Sequence, residues 1–233
     1  MRRLLIILIV LLFCTSAQAA ITKTETTQAQ EWVEIPGGAA ADGTDIITTS
    51  DIDVSGAYSA TLHIDCCISS TTAHTGTEII VQIASEAGVD DAWTTWTQFV
   101  GPTGTAVDAD FAAQEAAGQT VLSITNPVTE NIDNDGKFIF IEAATVANSQ
   151  IAYQIASGDD AADTITINAG LTAQQETTSD VFSMDSATGS PVGMYAISIP
   201  ASASQARVIF NNNYDADGST VHVRVRATLL TAL

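Results

Sequence analysis

The chain has 233 residues, with 7 basic and 27 acidic side chains, a formal net charge of −20 and 46% hydrophobic residues. A surface this poor in Lys and Arg excludes nucleic acid and anionic membrane as partners, because phosphate contacts are made by clustered basic side chains. Two readings of the charge remain: a solvated, self-repelling surface that keeps a secreted protein in solution, and a surface that takes up calcium.

Arg2 and Arg3 open the chain, an unbroken apolar run follows from Leu4 to Phe13, and Ala17-Gln18-Ala19 supplies the small residues a signal peptidase needs. That run is too short to cross a bilayer, which takes about 20 residues as a helix. Residues 1–19 are therefore expected to be a cleaved secretory signal, leaving a protein that is extracellular, at the cell surface or periplasmic, with no membrane insertion after cleavage. Phe13 before Cys14 argues against a lipid anchor.

Residues 20–30 (AITKTETTQAQ) have no apolar periodicity and are expected to be a flexible or strand-donating arm. Glu31 to Ile35 makes a first short strand, closed by Pro36-Gly37-Gly38. From Tyr58 to Ile68 apolar and polar residues alternate, so Cys66 is expected in the core and Cys67 on the outward face. Cys67 would then be a free thiol or the site of an intermolecular bridge. Thr77–Ala84 and Trp93–Val100 add two more strands.

Val107–Gly118 (VDADFAAQEAAG) carries the one helix signal, with Asp108 or Asp110 as cap and Gly118 as terminator. Short strands follow at Thr120–Ile124, Lys137–Glu142, Gln150–Ile155 and Thr164–Asn168, and no repeat at solenoid spacing stands out. After a linker at Ser186–Gly193, Met194–Ile199 alternates again. The last stretch is a hairpin: Val208 and Phe210 lead into it, and from Thr220 the residues Val221, Val223, Val225, Ala227 and Leu229 share one face.

The expected fold is all-β, an antiparallel β-sandwich of jelly-roll-like form built from residues 31–117 and 190–233, with a small β subdomain inserted at 118–189 and one short helix. A single continuous sandwich is the rival arrangement. An outer-membrane barrel would want more than 6% aromatic residues and a terminal aromatic instead of Leu233.

Two loops read N-x-D-x-D-G, one holding Asn131, Asp133 and Asp135 and the other Asn213, Asp215 and Asp217. Oxygen-bearing side chains on alternate residues before a glycine are what calcium loops use, so calcium is the cofactor the sequence puts forward. Glu142 occupies the twelfth position of the first loop, but about 20 Å away along an extended strand, which rules out an EF-hand. Plain turns have the same composition. His63 with Asp65, and His222 with Arg224, share outward strand faces; two ligands without a third do not complete a zinc site. There is no nucleophile elbow and no glycine-rich phosphate loop.

Trp93 and Trp96, with Asp90 and His74 on nearby loops, form a candidate sugar platform, since aromatic faces are how sandwich modules hold glycans. The expected function is a secreted, non-enzymatic structural or adhesive protein of a cell, matrix or phage-like particle surface, associating with itself. The alternative is a carbohydrate-binding module that holds a surface glycan through the exposed Trp residues.

Overall fold

The computed structural model describes residues 21–37, 45–69, 74–88, 92–104, 106–125, 138–159, 161–183, 192–212 and 219–232. In chain order the strands are β1 (Ile21–Ile35), β2 (Ile46–Thr48), β3 (Ile52–Asp53), β4 (Ala57–Ile68), β5 (Glu78–Ala84), β6 (Trp93–Val100), β7 (Val107–Asp110) and β8 (Val121–Ser123). They continue with β9 (Phe138–Glu142), β10 (Gln150–Asp159), β11 (Thr164–Ile167), β12 (Asp180–Ser183), β13 (Val192–Ile199), β14 (Gln205–Asn211) and β15 (Val221–Ala232). Every strand pair among them is antiparallel.

Two of the three sheets face each other as a sandwich. One has the order β1-β15-β4-β13 and the other β2-β14-β5-β6, with β3 also on β14. The first strand thus pairs with the last and the second with the one before it. Between the sheets Leu62, Ile64 and Ile68 of β4 meet Val221, Val223 and Val225 of β15, and Ile79, Val81, Val208 and Phe210 from the opposite sheet. These are the inward halves of alternating runs, fully buried or nearly so. Each such side chain contributes roughly 1.5–3 kcal/mol by leaving water.

β7 to β12 form a sheet of their own, in the order β7-β12-β9-β10-β11-β8. Its outer strands also meet, through a bridge between Phe111 and Ile124 and bonds from Ala112 N–H to the Ser123 carbonyl and from Thr125 N–H to the Asp110 carbonyl. The sheet therefore curls around a second core that includes Phe111, Leu122, Ile141, Ile155, Ile165 and Val181. This unit runs from Val107 to Ser183, beginning earlier than the expected residue 118.

The expected helix is absent. Val107–Asp110 is a strand on β12, Glu115 bridges to Gln175, and Gly118 turns the chain at φ +85°. Alanine's helix propensity is worth only fractions of a kcal/mol per residue, and pairing with a segment distant in sequence overrides it. Residues 111–123 (FAAQEAAGQTVLS) also match residues 171–183 (LTAQQETTSDVFS). Both copies close the same turn, with Gln119 N–H on the Ala116 carbonyl at 3.1 Å and Ser179 N–H on the Glu176 carbonyl at 3.0 Å.

Residues 21–30, expected as an arm, continue β1 and pair with the far end of β15, from Ile21 opposite Ala232 to Thr26 opposite Ala227. Thr-rich segments suit an extended edge. Cys67 does point away from the sandwich core, but the inserted unit covers it, and it is fully buried among Trp32, Ala106, Phe140 and Phe182. The expectation of an outward thiol fails because that face of the sheet is itself a packing surface.

Candidate functional site

The outward face of the first sheet carries the polar halves of its alternating strands, arranged in cross-strand rows. Glu34 of β1 stands opposite His222 of β15, and His222 opposite Cys67 of β4. In the next row Arg224 stands opposite Asp65, and beyond it Arg226 opposite His63.

His222 is fully buried. Its Nδ1 lies 3.0 Å from Ser69 Oγ, its ring packs on Phe140 at 5.2 Å between centroids, and its Nε2 has no hydrogen-bond partner. That Nε2 is 3.8 Å from Oε1 of Glu142 on β9, whose side chain is 25% exposed. Glu34, exposed on the sheet edge, completes a group whose ligand atoms all lie within 4.8 Å of one another. Burial pushes the His222 pKa down to about 4, so the ring is neutral at pH 7. These three residues could hold a metal.

Asp65, buried, is engaged by arginines: its Oδ2 accepts from Arg224 Nε at 2.9 Å, from Arg224 Nη2 at 2.7 Å and from Arg226 Nη2 at 3.2 Å. The Arg224 guanidinium lies 4.6 Å from the centre of the Trp32 ring. Asp65 is thus the centre of an ion-pair node with Arg224 and Arg226, and His63 does not join it, its Nε2 lying 3.1 Å from Thr228 Oγ1. Ser59, Thr61, His63, Thr228 and Leu230 line a shallow hollow of about 310 Å³ at the uncovered end of this face.

Trp93 and Trp96 share β6, at an edge of the second sheet. The register with β5 slips between Val81 opposite Thr97 and Gln82 opposite Thr95, which leaves Trp96 as the bulged residue. Trp96 is 48% exposed, and its indole N–H donates to the Ser198 carbonyl at 3.0 Å. Trp93 lies under the Arg207 guanidinium, 4.1 Å from its ring centre.

His74 does not join them. It is 3% exposed. Its Nδ1 accepts from Gly76 N–H at 2.8 Å, which leaves the ring proton on Nε2 to donate to Asn212 Oδ1 at 2.7 Å. Asn212 Nδ2 in turn donates to the carbonyls of Ile35 and Ser219. His74 is part of a buried knot that ties strand ends together, which corrects its expected place on a glycan-binding surface. Asp90 and both N-x-D-x-D-G loops, with Asn131, Asp133, Asp135, Asn213, Asp215 and Asp217, lie outside the described residues.

The chain is an all-antiparallel β protein of two packed sheets with an inserted β unit. No protein-family model matches it, and no curated protein matches it. Among solved structures, the K3 cleaved adhesin domain of Lys-gingipain from Porphyromonas gingivalis is 9% identical over 89% of this chain and 99% of its own, with a TM-score of 0.35. The VP2 subviral particle of infectious bursal disease virus is 8% identical over 94% of this chain and 43% of its own, with a TM-score of 0.23. These scores are too low for either neighbour's role to be carried over to this chain.

Proposed function

We propose that this is a secreted, non-enzymatic structural or adhesive protein that associates with copies of itself on a cell, matrix or particle surface. The observation that carries the reading is β1, a strand of 15 residues that lies at the edge of its sheet, where β15 is its one neighbour among the described residues. An edge of that length presents a row of backbone donors and acceptors to which another chain can add a strand. The winding, with first strand on last and second on next to last, we read as a jelly roll, an architecture that builds capsid shells and lectin sites alike. Fold alone does not choose between those roles.

Secretion follows from residues 1–19, and calcium at the two N-x-D-x-D-G loops would belong to the same surface role. Light scattering after size exclusion, run over a range of concentrations in calcium and in chelator, tests the proposal. An oligomer or filament whose mass grows with concentration supports it, and a monomer throughout overturns it. The second reading, a carbohydrate-binding module, is favoured by Trp96, whose indole is turned outward by a bulge.

A further inference from the structure

We propose that Glu34, Glu142 and His222 form a site for a transition-metal dication of the zinc class, and that the bound ion clamps the inserted β unit to the sandwich. The three ligands come from two bodies: Glu34 and His222 from adjacent strands of the first sandwich sheet, and Glu142 from β9 of the inserted unit. Among the described residues they are the one group of three His, Cys, Asp or Glu side chains close enough to share an ion.

The strongest pointer is the Nε2 of His222. A ring nitrogen removed from water and left without a partner is destabilising, because the hydrogen bond it made with water is not replaced. This one faces the Glu142 carboxylate at 3.8 Å. Its other nitrogen is anchored on Ser69 Oγ, the arrangement that holds a ligating imidazole in orientation and leaves its free nitrogen's lone pair for a metal. A cation placed between Nε2 and the two carboxylates would remove the orphan and neutralise both acids together.

Donor chemistry chooses the ion. One imidazole nitrogen with two carboxylate oxygens suits zinc and its neighbours, whereas calcium takes 6–8 oxygens. Ligands at about 2.0–2.2 Å from a tetrahedral zinc stand roughly 3.3 Å apart. The observed atoms lie within 4.8 Å of one another, and Glu34, exposed on an edge strand, is free on its solvent side to close that gap.

The test uses the purified protein, stripped with chelator, and titrates it with zinc, cobalt(II) or calcium. Expected results are one zinc per chain by calorimetry and a melting temperature raised on the order of 5–10 °C at free zinc a hundredfold above Kd. Cobalt should give the visible absorption of a four-coordinate ion, displaced by zinc. Glu142→Gln and Glu34→Gln, both at positions open enough to tolerate the change, should each weaken zinc binding at least tenfold, while Glu176→Gln at a distant exposed acid leaves it unaltered. Amide exchange in β9 should slow when zinc is bound, as a clamp requires. No zinc-dependent rise in melting temperature, or a rise of equal size in the Glu34→Gln and Glu142→Gln double variant, overturns the proposal; so does stabilisation by calcium in place of zinc.

Discussion

Glu115 and Gln175 exchange both backbone hydrogen bonds, each N–H reaching the other's carbonyl at 2.9 Å, and they occupy the same position in the two matching stretches of the inserted unit. Both are buried, Glu115 at 1% and Gln175 at 0% exposure. The two copies thus meet back to back at equivalent residues. Each turn is further closed by a side chain, with Ala116 N–H on Gln119 Oε1 and Glu176 N–H on Ser179 Oγ.

Glu115 Oε1 also accepts from Ser123 N–H at 2.6 Å. Glu115→Gln keeps that acceptor and makes the two copies alike, so its stability should stay within about 1 kcal/mol of the original. Glu115→Ala strands the Ser123 donor and should cost roughly 1–3 kcal/mol. Urea denaturation reads both, and an alanine variant as stable as the parent would show that the buried acceptor contributes nothing.

Removing Asp65 should be among the costliest changes on the outward face. Asp65→Ala leaves Arg224 facing Trp32 without its counter-charge, and losing one partner of a buried pair costs about 3–5 kcal/mol. Arg226→Ala should cost under about 1 kcal/mol, since that side chain is 46% exposed. Equal losses for Asp65→Ala and Arg226→Ala in thermal unfolding would contradict this ranking.

The thiols predict an alkaline limit to stability. Burial holds both Cys66 and Cys67 well above the ordinary value of 9.0. The unfolded chain therefore loses these protons first, so the thiols' contribution is complete below the unfolded pKa and declines as pH rises through it. One pH unit above that value the loss is about 1.4 kcal/mol per thiol. Urea midpoints between pH 7 and pH 10.5 should fall accordingly, and less steeply in Cys66→Ala with Cys67→Ala. Iodoacetamide should leave both residues untouched at pH 8 until denaturant is added.

If the second functional reading holds, Trp96→Ala should abolish retention on an immobilised polysaccharide with little change in stability, because the ring is half exposed. Trp93→Ala should cost roughly 0.5–1 kcal/mol through its lost contact with Arg207. A protein that no polysaccharide in a broad screen retains would remove the carbohydrate reading.

Most of the sandwich was legible. Tyr58–Ile68, Thr77–Ala84, Met194–Ile199 and Thr220–Leu229 are marked by alternation and Trp93–Val100 by its β-branched and aromatic content, and each lies inside a strand to within a residue. β12 is too short to show an alternation of its own, and its signal lies in the repeat: residues 181–183 match the pattern of 121–123, behind the matching AQE and AQQ triplets. The helix expectation at Val107–Gly118 failed where alanine content outvoted a pairing that only a distant segment could supply. The candidate metal group was hidden for the same reason. His222 and Glu142 belong to separate local patterns and Glu34 to neither, and nothing local says that these three strands come together.

By itself the sequence determined the long alternating strands of the sandwich, β4, β5 and β15 above all, and which way their side chains point, since direction on an extended chain is a property of neighbours with a period of two. It also set the acidic character of the surface. Only the tertiary structure decided what lies on top of the outward face, and with it the burial of Cys67, the orphaned nitrogen of His222 and the meeting of Glu34 with Glu142. Those outcomes depend on which distant strands become neighbours and where the inserted unit docks, and long-range pairing leaves no mark on the local pattern it joins.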